Sequence, residues 1–212
     1  MRPTQDGSGY GFAGPARWTG PAIAASKGAV AVVIRSIGTD NDRVSHTGNT
    51  TFPEGIDPIP AGALSNPDAD NLERVFARAE GRPVTMELLM TPRFVGETES
   101  GNVVGEITGR DPSLPPVLLA CHLDSWDVGQ GAQDDGAGCV AVIEAARLIA
   151  GLKRPPRRTV RVVLFTNEEN GLRGAMSYAE THKDEMPQHK AAIEADTGAG
   201  QPLGFRVQRA EG

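Results

Sequence analysis

From Val103 onward the chain alternates short, largely apolar runs with longer segments of 3.6-residue apolar periodicity, and this alternation constrains the fold more than any other feature. The spacing predicts strands at residues 103–107, 116–121, 160–166 and 191–195, with helices at 136–152 and 172–185. Strands that are apolar on both faces need cover on both faces, so the expectation is an α/β fold: a mostly parallel central sheet flanked by helices. In the first helix Cys139, Val142, Ile143, Ala146, Ile149 and Ala150 form one stripe, expected to pack on that sheet. Ligands of such sheets gather just beyond the carboxyl ends of the strands.

Residues 1–91 read differently. Residues 1–20 are rich in Gly and Pro without periodicity and are expected to be loop. A short helix at 21–27 feeds a strand at 29–35, and turn residues fill 36–60. A strand at 59–64, a helix from Asn66-Pro67 to about Glu80 with Leu72, Val75, Phe76 and Ala79 on one face, and a strand at 84–90 complete the set. The polar link 91–101 separates this region from 92–212. His46, alone in a loop, is read as solvated.

Composition excludes some functions. A formal charge of −6 with mixed signs along 212 residues offers no nucleic-acid stripe. The longest apolar run is far short of a membrane span, and no targeting signal is visible. Cys121 and Cys139, eighteen residues apart, suggest neither a disulfide framework nor a thiolate zinc site.

The polar residues at the expected strand ends form one constellation. CHLDSWDVGQGAQDDGAG, residues 121–138, places His122, Asp124, Asp127, Asp134 and Asp135 between a strand and a helix. Glu168 and Glu169 follow the next strand, and Asp196 follows the last. One imidazole nitrogen and several carboxylates suit zinc or another divalent first-row ion, and the number of carboxylates favours two ions sharing one bridge. Asp124 is placed to accept the second N–H of His122 and fix its tautomer. Of the two glutamates, one can coordinate while the other takes a proton from water as general base. The chemistry these residues imply is metal-assisted hydrolysis.

These motifs, with FTNEENGLRGA and EADTG, resemble metallopeptidase family 28, the di-zinc aminopeptidases, and HLDSWDVGQGAQDDG is similar to its carboxypeptidase Q branch. The spacings agree: twelve residues from His122 to Asp134, thirty-four from Asp134 to Glu168 and twenty-seven from Glu169 to Asp196. The resemblance implies a zinc-exopeptidase (phosphorylase/hydrolase-like) fold with two zinc ions per complete site. It assigns His122 and Asp196 to one zinc, Asp134 to the bridge, Glu169 to the second zinc and Glu168 to the base. It implies that Asp124 orients His122, and that the Asp134–Asp135 peptide bond is cis. Through GPARWTGPAIAASKGAVAVVIRS, HTGN and IPAGALS, residues 1–91 are similar to a partial protease-associated α+β domain. Residues 92–212 then correspond to the N-terminal part of the catalytic domain. A dipeptide or other short peptide substrate, homodimerisation and a secreted or periplasmic location are further implications.

Two departures from the pattern stand out. Cys121 and Cys139 stand where the family more often has glycine. The family's further histidine ligand has no counterpart, because neither His182 nor His189 falls where it should. The expectation is therefore a part of a longer protein that holds one zinc ion or fewer. The second reading is a truncated or pseudo-enzyme chain with only a binding or assembly role.

Overall fold

The computed structural model describes residues 9–46, 48–93, 95–126 and 129–208. The reading of residues 1–8, and of Asp127 in the acidic loop, lies outside them. The chain divides into two compact units, Met1–Val95 and Gly96–Gly212.

In the first unit α1 (Tyr10–Ala13), α2 (Pro15–Trp18) and α3 (Gly20–Ser26) lead into β1 (Val32–Arg35). Residues 10–18 are therefore largely helical, not loop. Pro15 and Pro21 sit in first turns, where a missing N–H costs the helix nothing. β1 pairs in parallel with β2 (Ala61–Leu64), in register Val32 with Ala61. α4 (Asn66–Ala79) follows directly, its first turn capped by Ser65 Oγ, which accepts the Asp68 N–H at 3.2 Å. The helix stops where Glu80 turns left-handed at φ 50°. Arg35 ties β1 to α4 through Asp70 at 2.7 Å and Glu73 at 2.8 Å.

Two expectations fail in this unit. Residues 84–90 form no strand: Leu89 is 90% exposed, and β-branched or apolar content makes a strand only where a neighbouring strand is there to pair. Val75 and Phe76 stay exposed because a two-stranded sheet is too narrow to cover the whole apolar face of α4. His46 is also not simply solvated. Its Nε2 lies 3.0 Å from Arg17 Nη1 and 3.3 Å from the Tyr10 hydroxyl.

The second unit is a four-stranded sheet in the order β3-β5-β4-β6, formed by β3 (Val103–Ile107), β4 (Val117–His122), β5 (Val160–Phe165) and β6 (Ala191–Glu194). β4, β5 and β6 run parallel, and β3 is an antiparallel edge on β5. Two helices complete it: α5 (Ala137–Ala150) and α6 (Arg173–Thr181). The period-two alternation of β4 and β5 sends Leu118, Ala120, Val163 and Phe165 to one face, where they meet Tyr178 and Ala175 of α6. Cys121, Val162 and Leu164 go to the other, where they meet Cys139 and Val142 of α5. The central strands β4 and β5 are thus covered on both faces, as their apolar runs required, while the outer strands β3 and β6 stay largely exposed.

The α5 stripe is narrower than its sequence suggested. Cys139 and Val142 are buried and Ala146 packs beside them, but Ile143 is 52% exposed, because it lies one residue off the line of positions 139, 142 and 146 that faces these strands. α6 ends at Thr181, short of Glu185, and a separate 3₁₀ turn, Met186–Gln188, leads into β6. No helix among the described residues is long and apolar enough to cross a membrane.

Candidate metal centre

Parallel pairing sets the carboxyl ends of β4, β5 and β6 side by side, and there His122, Asp134 and Asp196 come together, while Glu168 and Glu169 follow β5 outside that group of donor atoms. His122 is the last residue of β4, opposite Phe165 at the end of β5. Ala120 pairs with Glu194, so Asp196 lies as far along its chain as His122 does along β4. Between β4 and α5 the chain turns through Ala132–Gly136, where the Asp134–Asp135 peptide bond is cis, as the family pattern implied.

His122 is 1% exposed, with its Nε2 3.0 Å from Asp134 Oδ1 and 3.3 Å from Asp196 Oδ1. Donor atoms of these three residues all lie within 4.8 Å of one another. Nδ1 faces the backbone carbonyl of Asp124 at 2.9 Å. A carbonyl oxygen only accepts, so Nδ1 carries a proton and Nε2 is the nitrogen presented to the acids. Burial would lower the imidazole pKa, but the carboxylates of Asp196, Glu168 and Asp135 hold it above its ordinary value. This set of one nitrogen and two carboxylates fits zinc or a similar ion, which would take the place of the Nε2 proton.

The role expected of the Asp124 carboxylate belongs to its backbone. The side chain stands 3.7 Å from Nδ1 and instead accepts two amide N–H groups, from Glu168 at 2.8 Å and Glu169 at 3.1 Å. Its main chain orients the imidazole while its carboxylate fixes the start of the glutamate loop. The reason is geometric: two residues past His122 the backbone has turned its carbonyl to the ring, leaving the side chain to reach across to the loop after β5.

Asp135, to which the sequence gives no separate role, has a specific geometry. The carboxylate is 1% exposed and accepts the N–H of His122 and of Gly138, both at 3.1 Å. It ties the end of β4 to the first turn of α5. Gly138 is required there, since a Cβ would run into the Ala195 carbonyl and the Asp135 carboxylate.

Burial raises the pKa of Glu168, and nearby Asp196, Asp124 and Glu194 add to it while His122 opposes. Burial first, then Asp134 and Glu168, push Glu169 up to about 7. Asp196 is raised by burial too, against the pull of His122. Several acids crowded around one imidazole, with raised pKa values on Glu168, Glu169 and Asp196, form a donor set that suits a cation.

Cys121 and Cys139 correct the sequence reading outright, because they form a disulfide with Cα atoms 5.2 Å apart. The pairing was legible only through topology: a helix that follows a strand and packs back on it returns its first turn to that strand's end. His182 and His189 lie away from the cluster. His182 packs its ring on Tyr178 at 4.4 Å, and His189 Nδ1 is 2.9 Å from the Glu185 carbonyl.

An imidazole and several carboxylates on the carboxyl rim of a mostly parallel sheet with helices on both faces define an α/β protein with a candidate metal-binding site. The particular family follows from comparison: residues 102–211, just over half of the chain, match peptidase family M28, and the chain belongs to that family. Carboxypeptidase Q of Mus musculus is 39% identical over 90% of this chain and 40% of its own length. Carboxypeptidase Q of Homo sapiens is 37% identical over 92% of this chain and 41% of its own. The crystal structure of a peptidase M28 precursor from Shewanella amazonensis SB2B superposes with a TM-score of 0.83 at 43% identity, over 94% of this chain and 45% of that one. The chain thus spans less than half the length of these relatives.

Proposed function

We propose that this chain carries the metal-binding half of a zinc-dependent exopeptidase of aminopeptidase or dipeptidase type, acting on dipeptides or other short peptides with free termini. In this reading His122 and Asp196 hold one zinc, Asp134 bridges, Glu169 holds the second, and Glu168 is the general base. A divalent ion bound there supplies charge that lowers the pKa of water and polarises a carbonyl. The residues of the chain do the rest. Asp124 positions His122 with its carbonyl and both glutamates with its carboxylate. Glu168, with its pKa raised, accepts a proton from the attacking water and delivers it to the leaving amine.

The observation that carries this reading is the approach of His122 Nε2 to Asp134 and Asp196, together with Asp124 anchoring Glu168 and Glu169. The protein names carboxypeptidase Q and peptidase M28 precursor, borne by the relatives, support the same class. Residues 1–91 serve in this reading as a partial protease-associated domain, and a homodimer is the assembly the resemblance favours. The Cys121–Cys139 disulfide supports maturation in an oxidising compartment, secreted or periplasmic.

The test is hydrolysis of a dipeptide panel by the full-length protein, before and after chelation and on zinc readdition. Loss of activity on chelation and its return with zinc are expected. Activity indifferent to chelation would refute the proposal.

A further inference from the structure

Cys121 immediately precedes the buried imidazole of His122, and Cys139 lies in the first turn of α5. The bond between them spans eighteen residues of sequence, and His122, Asp124, Asp134 and Asp135 all lie inside the loop it closes. Everything that β4 and its loop contribute to the metal cluster therefore hangs on one covalent ring. Cys121 is fully buried, and Cys139 Sγ lies 3.1 Å from the His122 carbonyl oxygen, so the bond packs directly against the backbone of that residue. Asp135 bridges the same two chain ends without a covalent bond, through the N–H groups of His122 and Gly138. Disulfide and carboxylate are parallel ties across one junction.

We infer that the Cys121–Cys139 disulfide is a redox-dependent clamp on the metal loop: intact, it holds His122 toward Asp134 before any ion arrives, and reduced, the site binds divalent metal more weakly. This rests on the reading of His122, Asp134 and Asp196 as ligands. The affinity of a metal site includes the cost of ordering its donors, and a covalently closed loop has fewer arrangements to lose. Opening the bond returns part of that freedom to His122 and Asp134 and leaves the junction of β4 and α5 to the Asp135 tie and the strand pairing. In the reductive step a dithiol or phosphine gives two electrons to the S–S bond. The bond breaks, and each sulfur takes one proton and becomes a thiol. A dithiol ends as its own disulfide; a phosphine takes oxygen from water and ends as its oxide.

The experiment uses metal-free full-length protein in four forms: air-oxidised, reduced with a phosphine and desalted, reoxidised, and the double variant Cys121→Ala/Cys139→Ala. Each is titrated with cobalt(II) against a competing chelator, with far-UV circular dichroism recorded throughout. The reduced form and the variant are expected to bind about ten- to a hundredfold more weakly, the range commanded by residues that support metal ligands. Reoxidation restores the wild-type affinity, and the circular dichroism does not change. Equal affinity in oxidised and reduced forms would overturn the clamp while leaving the metal site standing. No cobalt binding in the oxidised form would overturn the site reading itself.

Three other results would also overturn the clamp. One is free thiols in the air-oxidised protein. Another is loss of circular dichroism on reduction, which would make the bond a requirement for folding and not a clamp on the loop. The third is a cobalt–thiolate charge-transfer band on reduction, which would show the thiols acting as ligands beside Asp135, whose donor atoms lie within 4.8 Å of both sulfurs.

Discussion

The Asp124 carboxylate accepts the backbone N–H of Glu168 at 2.8 Å, which joins the loop after β4 to the loop after β5 through one side chain. The second oxygen does the same for Glu169 at 3.1 Å. A carboxylate bound to two successive amides fixes the direction in which both glutamate side chains leave the backbone. Replacing Asp124 by Ala is therefore expected to weaken metal binding about ten- to a hundredfold, with Asn, which keeps one good acceptor, in between. Chelator competition on the two variants measures this. Wild-type affinity in Asp124→Ala would show that the loop holds itself.

Metal affinity is expected to fall as pH drops below about 7. Glu169 is held up to about 7 by burial and by Asp134 and Glu168, so below that pH an incoming cation must displace its proton. The sign for stability is opposite in the metal-free protein. The raised pKa means that folded Glu169 keeps a proton which the unfolded chain releases near 4.5. Its contribution therefore turns unfavourable as pH rises from 4.5 to about 7 and stays so above. Thermal melts across this window, with and without zinc, should separate progressively as pH rises. Parallel curves would contradict the assignment.

Asp135→Ala is expected to cost about 1–3 kcal/mol of stability, because it leaves the buried N–H groups of His122 and Gly138 without their acceptor. Urea unfolding of the metal-free protein measures the loss. A neutral result would mean that water or a shifted backbone replaces the carboxylate.

Gly138→Ala tests the closeness of α5 to β6. The added methyl would press on the Ala195 carbonyl and the Asp135 carboxylate, and about 1–3 kcal/mol of destabilisation is expected from overpacking. Metal affinity should fall with it, since Asp196 follows Ala195 directly. Unchanged urea midpoint and affinity would place the helix farther from the strand.

The four-stranded sheet was legible because its signals are local. Runs such as VRVVLF are apolar on both faces, which demands a buried strand, and the acids that follow them stand at strand ends wherever the strands run parallel. His122, Asp134 and Asp196 could be grouped from that reasoning alone. What stayed hidden depends on contacts between distant segments. The antiparallel course of β3 is decided by its pairing with β5, and the disulfide by the return of α5 to the end of β4. The two uses of Asp124 depend on which way one carbonyl turns, and that is not written in residue type. In the first unit the apolar content of residues 84–90 suggested a strand, but a strand needs an edge to pair with. The helical course of residues 10–18 was masked by glycines and prolines that read as breakers, yet Pro15 and Pro21 sit where helices begin.

The central claim is that these acids and His122 form a hydrolytic metal site in which Glu168 moves the proton. The most direct measurement is dipeptide turnover by full-length Glu168→Gln, with zinc content determined on the same samples. The account predicts wild-type zinc content and a rate lower by about a hundred- to ten-thousandfold. Turnover at the wild-type rate with zinc fully bound would contradict it.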